Sequence, residues 1–213
     1  MYFDELLSLV GDLPWFDLPT LTQLSGENRI MLTNQLYRWA ESGKILRLRR
    51  SMYALGEKYR RVPFNTAALA NELYRPSYLS DVWALSFYGL IPEGVSSYTS
   101  ITSRLGRRFS NDVGEFVYTH IKMEAFFGYE IQKLDGFDVL VAGPEKALLD
   151  NWYEHKGEWT VDRIEQMRYQ NTDQIDYEKL DRFARRFDSP RLMRGLAAFK
   201  VFAREQVNGA LEI

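Results

Sequence analysis

The chain has 213 residues, 46% hydrophobic and 26% charged, a length that suits one large domain or two small ones and a composition that gives no sign of disorder. It has no cysteine and only two histidines, His120 and His155, which excludes disulfides, thiol chemistry and a histidine-rich metal site and fits a reducing compartment. The net charge of -2 hides an asymmetry: between Arg29 and Arg61 nine basic residues stand against Glu41 and Glu57 alone, a local +7 on an otherwise acidic protein.

In FDELLSLV, Phe3, Leu6, Leu7 and Val10 recur at helical spacing, and Gly11 ends the run. This opening segment is acidic and carries no basic leader, and the chain holds no run of about 18 apolar residues. The protein is therefore expected to be cytoplasmic, neither exported nor membrane-spanning. After the loop DLPWFDLP, Thr20 is placed to cap a short second helix that ends at Ser25-Gly26. A third helix follows in ENRIMLTNQLYRWAESG, with Leu32, Leu36, Trp39 and Ala40 on one face and Gly43 closing it. Its other face carries Ile30, Thr33, Asn34, Tyr37, Arg38 and Glu41, a hydrogen-bonding set rather than a plain charged one.

The stretch SGKILRLRRSMYAL comes next. Leu46 and Leu48 alternate with Arg47 and Arg49, and Met52 to Leu55 runs back after a turn at Arg50-Ser51. A hairpin is expected, with the two leucines facing the domain and Arg47 and Arg49 facing out. Leu36, Trp39, Leu48, Tyr53 and Leu55 are expected in the core. Three helices and then a basic hairpin within roughly 60 residues is the order of a winged helix-turn-helix, whose third helix enters the major groove of DNA while the hairpin lies on the flanking backbone. The charge agrees, because each Lys or Arg placed on a phosphate releases condensed counterions. A generic helical domain with a solvated charged hairpin is the competing reading.

Pro63 in EKYRRVPFN breaks the pattern and separates two domains. Asn65 or Thr66 then caps a helix through Leu73, and SYLSDVWALSFYGLIP reads as another, with Leu79, Val82, Trp83 and Ser86 on one face. Four strand-like runs follow: SYTSITS, EFVYTHIK, YEIQKL and FDVLVA, the last two joined by the turn Asp135-Gly136. From Pro144 the runs PEKALLDNWYEH, TVDRIEQMRY, DYEKLDRFARRF and SPRLMRGLAAFKVFAREQ return to helical spacing, with Pro144 and Pro190 at first-turn positions. The expected fold is α+β: a winged helix-turn-helix over residues 1–62, then a mixed domain over 63–213 with a small antiparallel sheet to about residue 143 and helices from 144.

Three pieces in this order, NQLYRWAESGKILRLRRSMYAL, SYLSDVWALSFYGLIP and VAGPEKALLDNWY, resemble the AbiEi family of antitoxins from bacterial abortive-infection toxin-antitoxin systems, over roughly residues 1 to 155. The resemblance implies a DNA-binding repressor of its own operon, whose C-terminal domain counteracts a nucleotidyltransferase-like toxin. It places Thr33, Asn34, Tyr37 and Arg38 at base edges of double-stranded operator DNA, where Asn reads adenine and Arg reads guanine. Arg47, Arg49, Arg50 and Ser51, joined by Lys44 and Arg29, would contact phosphates or enter a minor groove. Such hairpins commonly carry Gly where this chain has Ser51, so the turn geometry is a point of departure.

Enzyme signatures are wanting. The sequence has no G-x-S-x-G elbow, P-loop or glycine-rich dinucleotide fingerprint. The best acidic set, Asp135, Asp138, Glu145 and Asp150 with Lys146, would suit a metal-dependent nuclease, but Glu145 and Lys146 are adjacent and diverge on a helix. No catalytic residue, cofactor or metal ligand is expected. A second basic cluster, Arg182, Arg185, Arg186, Arg191 and Arg194, reads either as a DNA or partner contact or as a solvated helix face. A protein-interaction module that neutralises the toxin by contact is the alternative function.

Overall fold

The computed structural model describes residues 1–211, with side chains as far as Gln206, so the last two positions of the expected 63–213 region lie outside the described residues. The chain is mixed α and β and carries one sheet of three strands and one of six. It divides into two units, Met1–Thr66 with Phe109–Glu115, and Ala67–Arg108 with the chain from Phe116 onward.

In the first unit, helices α1 (Phe3–Val10), α2 (Leu18–Ser25) and α3 (Arg29–Glu41) are followed by strands β2 (Ile45–Arg49) and β3 (Met52–Leu55), with a two-residue strand β1 (Phe16–Asp17) before α2. Leu6, Val10, Leu21, Leu32, Leu36, Ile45 and Leu55 meet in one buried core. Each such side chain contributes about 1.5–3 kcal/mol of burial. Two expectations near α2 are corrected. The segment read as a loop holds β1, which pairs with β3 through Phe16↔Tyr53 and Asp17↔Met52. That pairing leaves Asp17 extended at the strand end, and Asp17, not Thr20, is the cap: its Oδ1 accepts from Thr20 N at 2.8 Å. At the far end of α3, Gly43 takes φ 68° and Lys44 N bonds back to Trp39 O at 2.9 Å, a left-handed stop that only glycine adopts without strain.

The antiparallel β2–β3 hairpin contains a bulge. Arg47 pairs with Tyr53 and Arg49 with Met52, which leaves Leu48 opposite no residue. The extra residue breaks the period of two, so Ile45 and Leu48 are the buried residues of β2, while Leu46, expected inward, is half-buried. The carbonyl of Leu48 accepts from Asn111 Nδ2 at 2.7 Å. Trp39, expected in the core, is only partly buried against it.

In the second unit, α4 (Thr66–Leu73) leads into β4 (Ser77–Leu79) and α5 (Asp81–Phe87). Strands β5 (Ser97–Thr102), β6 (Arg107–Asn111), β7 (Gly114–His120), β8 (Tyr129–Leu134) and β9 (Phe137–Ala142) complete a sheet of order β6-β7-β5-β4-β9-β8, although Phe109–Glu115 of β6 and β7 count with the first unit. The small antiparallel sheet is thus corrected to a six-stranded mixed one, because β4 pairs antiparallel with β5 but parallel with β9. Two strands of this sheet were not expected: β4 is three residues inside a run at helical spacing, and β6 is a polar edge strand with weak alternation. The buried residues of α5 are Ala84 and Leu85, while Val82, Trp83 and Ser86, expected inward, are half-buried. Asp135 and Gly136 both take positive φ, 49° and 84°, as a two-residue hairpin turn requires.

Helices α6 (Pro144–Glu154), α7 (Val161–Gln166), α8 (Tyr177–Arg186) and α9 (Pro190–Leu211) follow, and α6 packs against α5, α8 and α9. Glu145 through Trp152 of α6 are buried without interruption. Among the described residues no helix is long and apolar enough to cross a membrane.

Candidate nucleic-acid interface

The exposed side of α3 carries Arg29, Thr33, Asn34, Tyr37 and Arg38, all in solvent. They stand there because Leu32 and Leu36, fully buried, fix the opposite stripe of the helix. Asn28 caps the helix by accepting from Ile30 N at 2.8 Å, so the first turn that presents Arg29 and Ile30 is held in shape. Tyr37 is 61% exposed and Ile30 72%, large apolar surface to leave in water beside an asparagine and two arginines. Thr33 is more committed than its neighbours, since its hydroxyl donates to Arg29 O at 2.8 Å and only its acceptor capacity is open to a ligand.

Along the hairpin Arg47 and Arg50 are exposed, while Arg49 is half-buried and donates through Nη1 to Arg50 O at 3.3 Å. Ser51 takes φ 62°, the left-handed conformation that glycine holds at no cost. Its carbonyl accepts from Leu18 N at 2.9 Å, which fastens the turn to the start of α2. Lys44 is drawn onto the ring of Phe3, with Nζ 4.7 Å from the centroid, and Arg60 onto Phe64 at 4.5 Å. Among the described residues none of the nine bases from Arg29 to Arg61 forms an ion pair. The surface carries cations without ion-pair partners, with hydrogen-bonding side chains on a helix beside them.

The second unit treats its charges differently. Three of the five arginines of the C-terminal cluster have intramolecular work. Arg191 gives Nη1 to the carbonyls of Trp152, His155 and Gly157 and Nη2 to that of Tyr153, at 2.8 to 3.1 Å, which closes the end of α6. Arg194 forms a two-pronged bond to Glu158, and Arg186 lies 3.9 Å from the Phe127 centroid. Arg182 and Arg185 remain exposed. A cleft of about 370 Å³ has Glu72, Arg75 and Asp138 on its wall, and each is held in an ion pair, Arg75 with Glu72 and Asp138 with Lys133.

The residues weighed for a nuclease scatter. Asp135 and Asp138 are exposed, whereas Lys146 and Asp150 are fully buried. Among the described residues no three of His, Cys, Asp and Glu are grouped to hold a metal ion. Instead, the motifs SYLS and PEKALLD meet in a polar knot that the sequence reading missed. Lys146 pairs with Asp150 one turn along α6, Tyr78 and Ser80 donate to Asp150 Oδ2 at 3.1 and 2.7 Å, and Lys146 donates to Tyr78 Oη at 2.9 Å. The ammonium sits among the rings of Phe187, Phe127 and Tyr78 at 4.7, 5.2 and 5.4 Å. Burial pushes the Lys146 ammonium down, the Asp150 carboxyl up and the Tyr78 phenol well up; attraction within the pair opposes the first two. The only local signal in the sequence is the i,i+4 spacing of Lys146 and Asp150 on α6.

No protein-family model matches the chain, and no curated protein matches it either.

Proposed function

We propose that the first unit is a winged helix-turn-helix that binds double-stranded operator DNA, and that the protein is a non-catalytic autorepressor and antitoxin of a toxin-antitoxin operon. The observation that carries the reading is the set Arg29, Arg38, Arg47 and Arg50, exposed and without an ion-pair partner among the described residues, alongside the solvent-facing Asn34 and Tyr37. A protein gains nothing in stability from four unpaired arginines, whereas phosphate backbones reward them through counterion release. Asn34 and Arg38 would read bases, and Arg29, Lys44, Arg47, Arg49, Arg50 and Ser51 would seat the module on the backbone.

The resemblance to AbiEi antitoxins adds the second unit's role, control of a nucleotidyltransferase-like toxin. Direct contact with that toxin is supported by the stack of Trp83 on Phe87, centroids 5.4 Å apart and partly in solvent, since such aromatics anchor protein interfaces.

The test is binding to duplexes covering the DNA upstream of its own gene. The intact protein is expected to prefer one segment over a scrambled duplex of equal length, and Asn34→Ala or Arg38→Ala to reduce that preference by about 1–3 kcal/mol. Equal binding of both duplexes would refute sequence-specific repression.

A further inference from the structure

A second basic segment lies outside the interface described above. The sequence SRLGRR, residues 103 to 108, has three arginines and no acid. Arg104, Leu105, Arg107 and Arg108 are all exposed, Leu105 at 83%. The loop is nevertheless held firmly. Tyr74 Oη donates to Leu105 O at 3.1 Å, Arg104 N donates to Thr102 Oγ1 at 3.2 Å, and Arg104 Nη1 donates to Arg75 O at 3.0 Å. His120 Nδ1 lies 2.9 Å from Arg104 O. A side chain at Gly106 would come within 3.1 Å of Tyr118 O, so the loop backbone rests directly on the neighbouring strand. The guanidinium groups of Arg104 and Arg107 lie 4.6 and 5.6 Å from the Tyr74 ring centroid, which fixes their direction.

Leu105 thus stands between arginines at a braced position, a basic surface of fixed backbone with one apolar side chain at its tip. One leucine is too little apolar surface to anchor a protein to a lipid bilayer, which takes a whole helix face or an acyl chain. It matches the way proteins engage a nucleic-acid groove, with arginines on the backbone and a single apolar side chain against the bases or sugars.

We propose that the segment 103–108 is a second DNA contact, in which Arg108 binds a backbone phosphate and Leu105 packs into the groove edge. This inference rests on the DNA-binding reading of the first unit. The test measures the affinity of the full chain for a labelled duplex by fluorescence anisotropy across a salt series, with thermal melting to establish folding. Arg108→Gln is expected to lower the slope of log affinity against log salt by about 0.9 and to weaken binding about 8-fold at 0.1 M salt, as loss of one phosphate contact requires. Arg108→Lys should restore the slope, and Leu105→Ser should weaken binding with the slope unchanged. Steep salt-dependent binding by the native chain that neither Arg108→Gln nor Leu105→Ser alters would overturn this contact and leave the first unit's reading intact. The same holds if those variants instead lose binding to vesicles of phosphatidylserine and phosphatidylcholine. Failure of the native chain to bind duplex DNA would overturn both.

Discussion

Arg191 and Arg47 carry the same guanidinium and meet opposite surroundings. Arg191 spends its donors on four backbone carbonyls at the end of α6, and its neighbours Arg194 and Arg186 are tied to Glu158 and Phe127. Arg47 stands in solvent on the hairpin, and Arg29, Arg38 and Arg50 share its isolation. Every side-chain ion pair among the described residues, from Glu72–Arg75 to Asp181–Lys200, belongs to the second unit. The first unit's one pair joins the N-terminal amine to Glu27. Composition alone cannot separate these cases, since both basic clusters look alike in sequence. The difference teaches that equal charge density can be spent on intramolecular partners in one cluster and left in solvent in the other.

The comparison breaks most sharply at the buried pair. Replacing Asp150 with Ala strands the Lys146 ammonium in an aromatic cage, and chemical denaturation should register a loss of about 3–5 kcal/mol. Substituting both partners by apolar residues of similar volume, Lys146→Met with Asp150→Leu, should recover most of that loss, because desolvation then has no charge to act on. A double variant as unstable as the single one would mean that the pair organises the fold beyond its own charges. Next in size, Arg191→Ala should cost about 2 kcal/mol through the carbonyls it abandons, whereas Arg47→Ala should stay within about 0.5 kcal/mol of the native protein. Comparable losses for the two would erase the distinction drawn here. The smallest effect concerns the hairpin turn: Ser51→Gly relieves a left-handed φ of 62° and should raise stability by up to about 1 kcal/mol in the same denaturation experiment.

Much of the first unit was legible because its signals are local. The apolar spacing of Leu32 and Leu36, Gly43 as a left-handed stop and the exposed polar face of α3 all follow from a period of 3.6 and the freedom of glycine. What failed there depended on partners distant in sequence. Asp17 caps α2 because β1 pairs with β3, and Leu46 yields its place to Ile45 because of a bulge whose consequences only the pairing reveals. In the second unit the central strand β4 is three residues long, too short for any periodicity to declare it. The buried knot of Lys146, Asp150, Tyr78 and Ser80 joins motifs some 70 residues apart, and burial is what turns an ordinary i,i+4 pair into a demanding one. The Arg182–Arg194 cluster was ambiguous for the same reason, since carbonyl acceptors at the end of α6 are invisible in a string of letters.

The claim at the centre is that the unpaired arginines of the first unit exist for phosphates. Titrating duplex binding with salt, native protein against Arg47→Ala with Arg50→Ala, tests it directly. A steep native slope that becomes shallower by about 1.8 in the double variant, at about 0.9 per phosphate contact, is the predicted result. Binding that is absent, indifferent to salt, or unchanged by losing both arginines would contradict it.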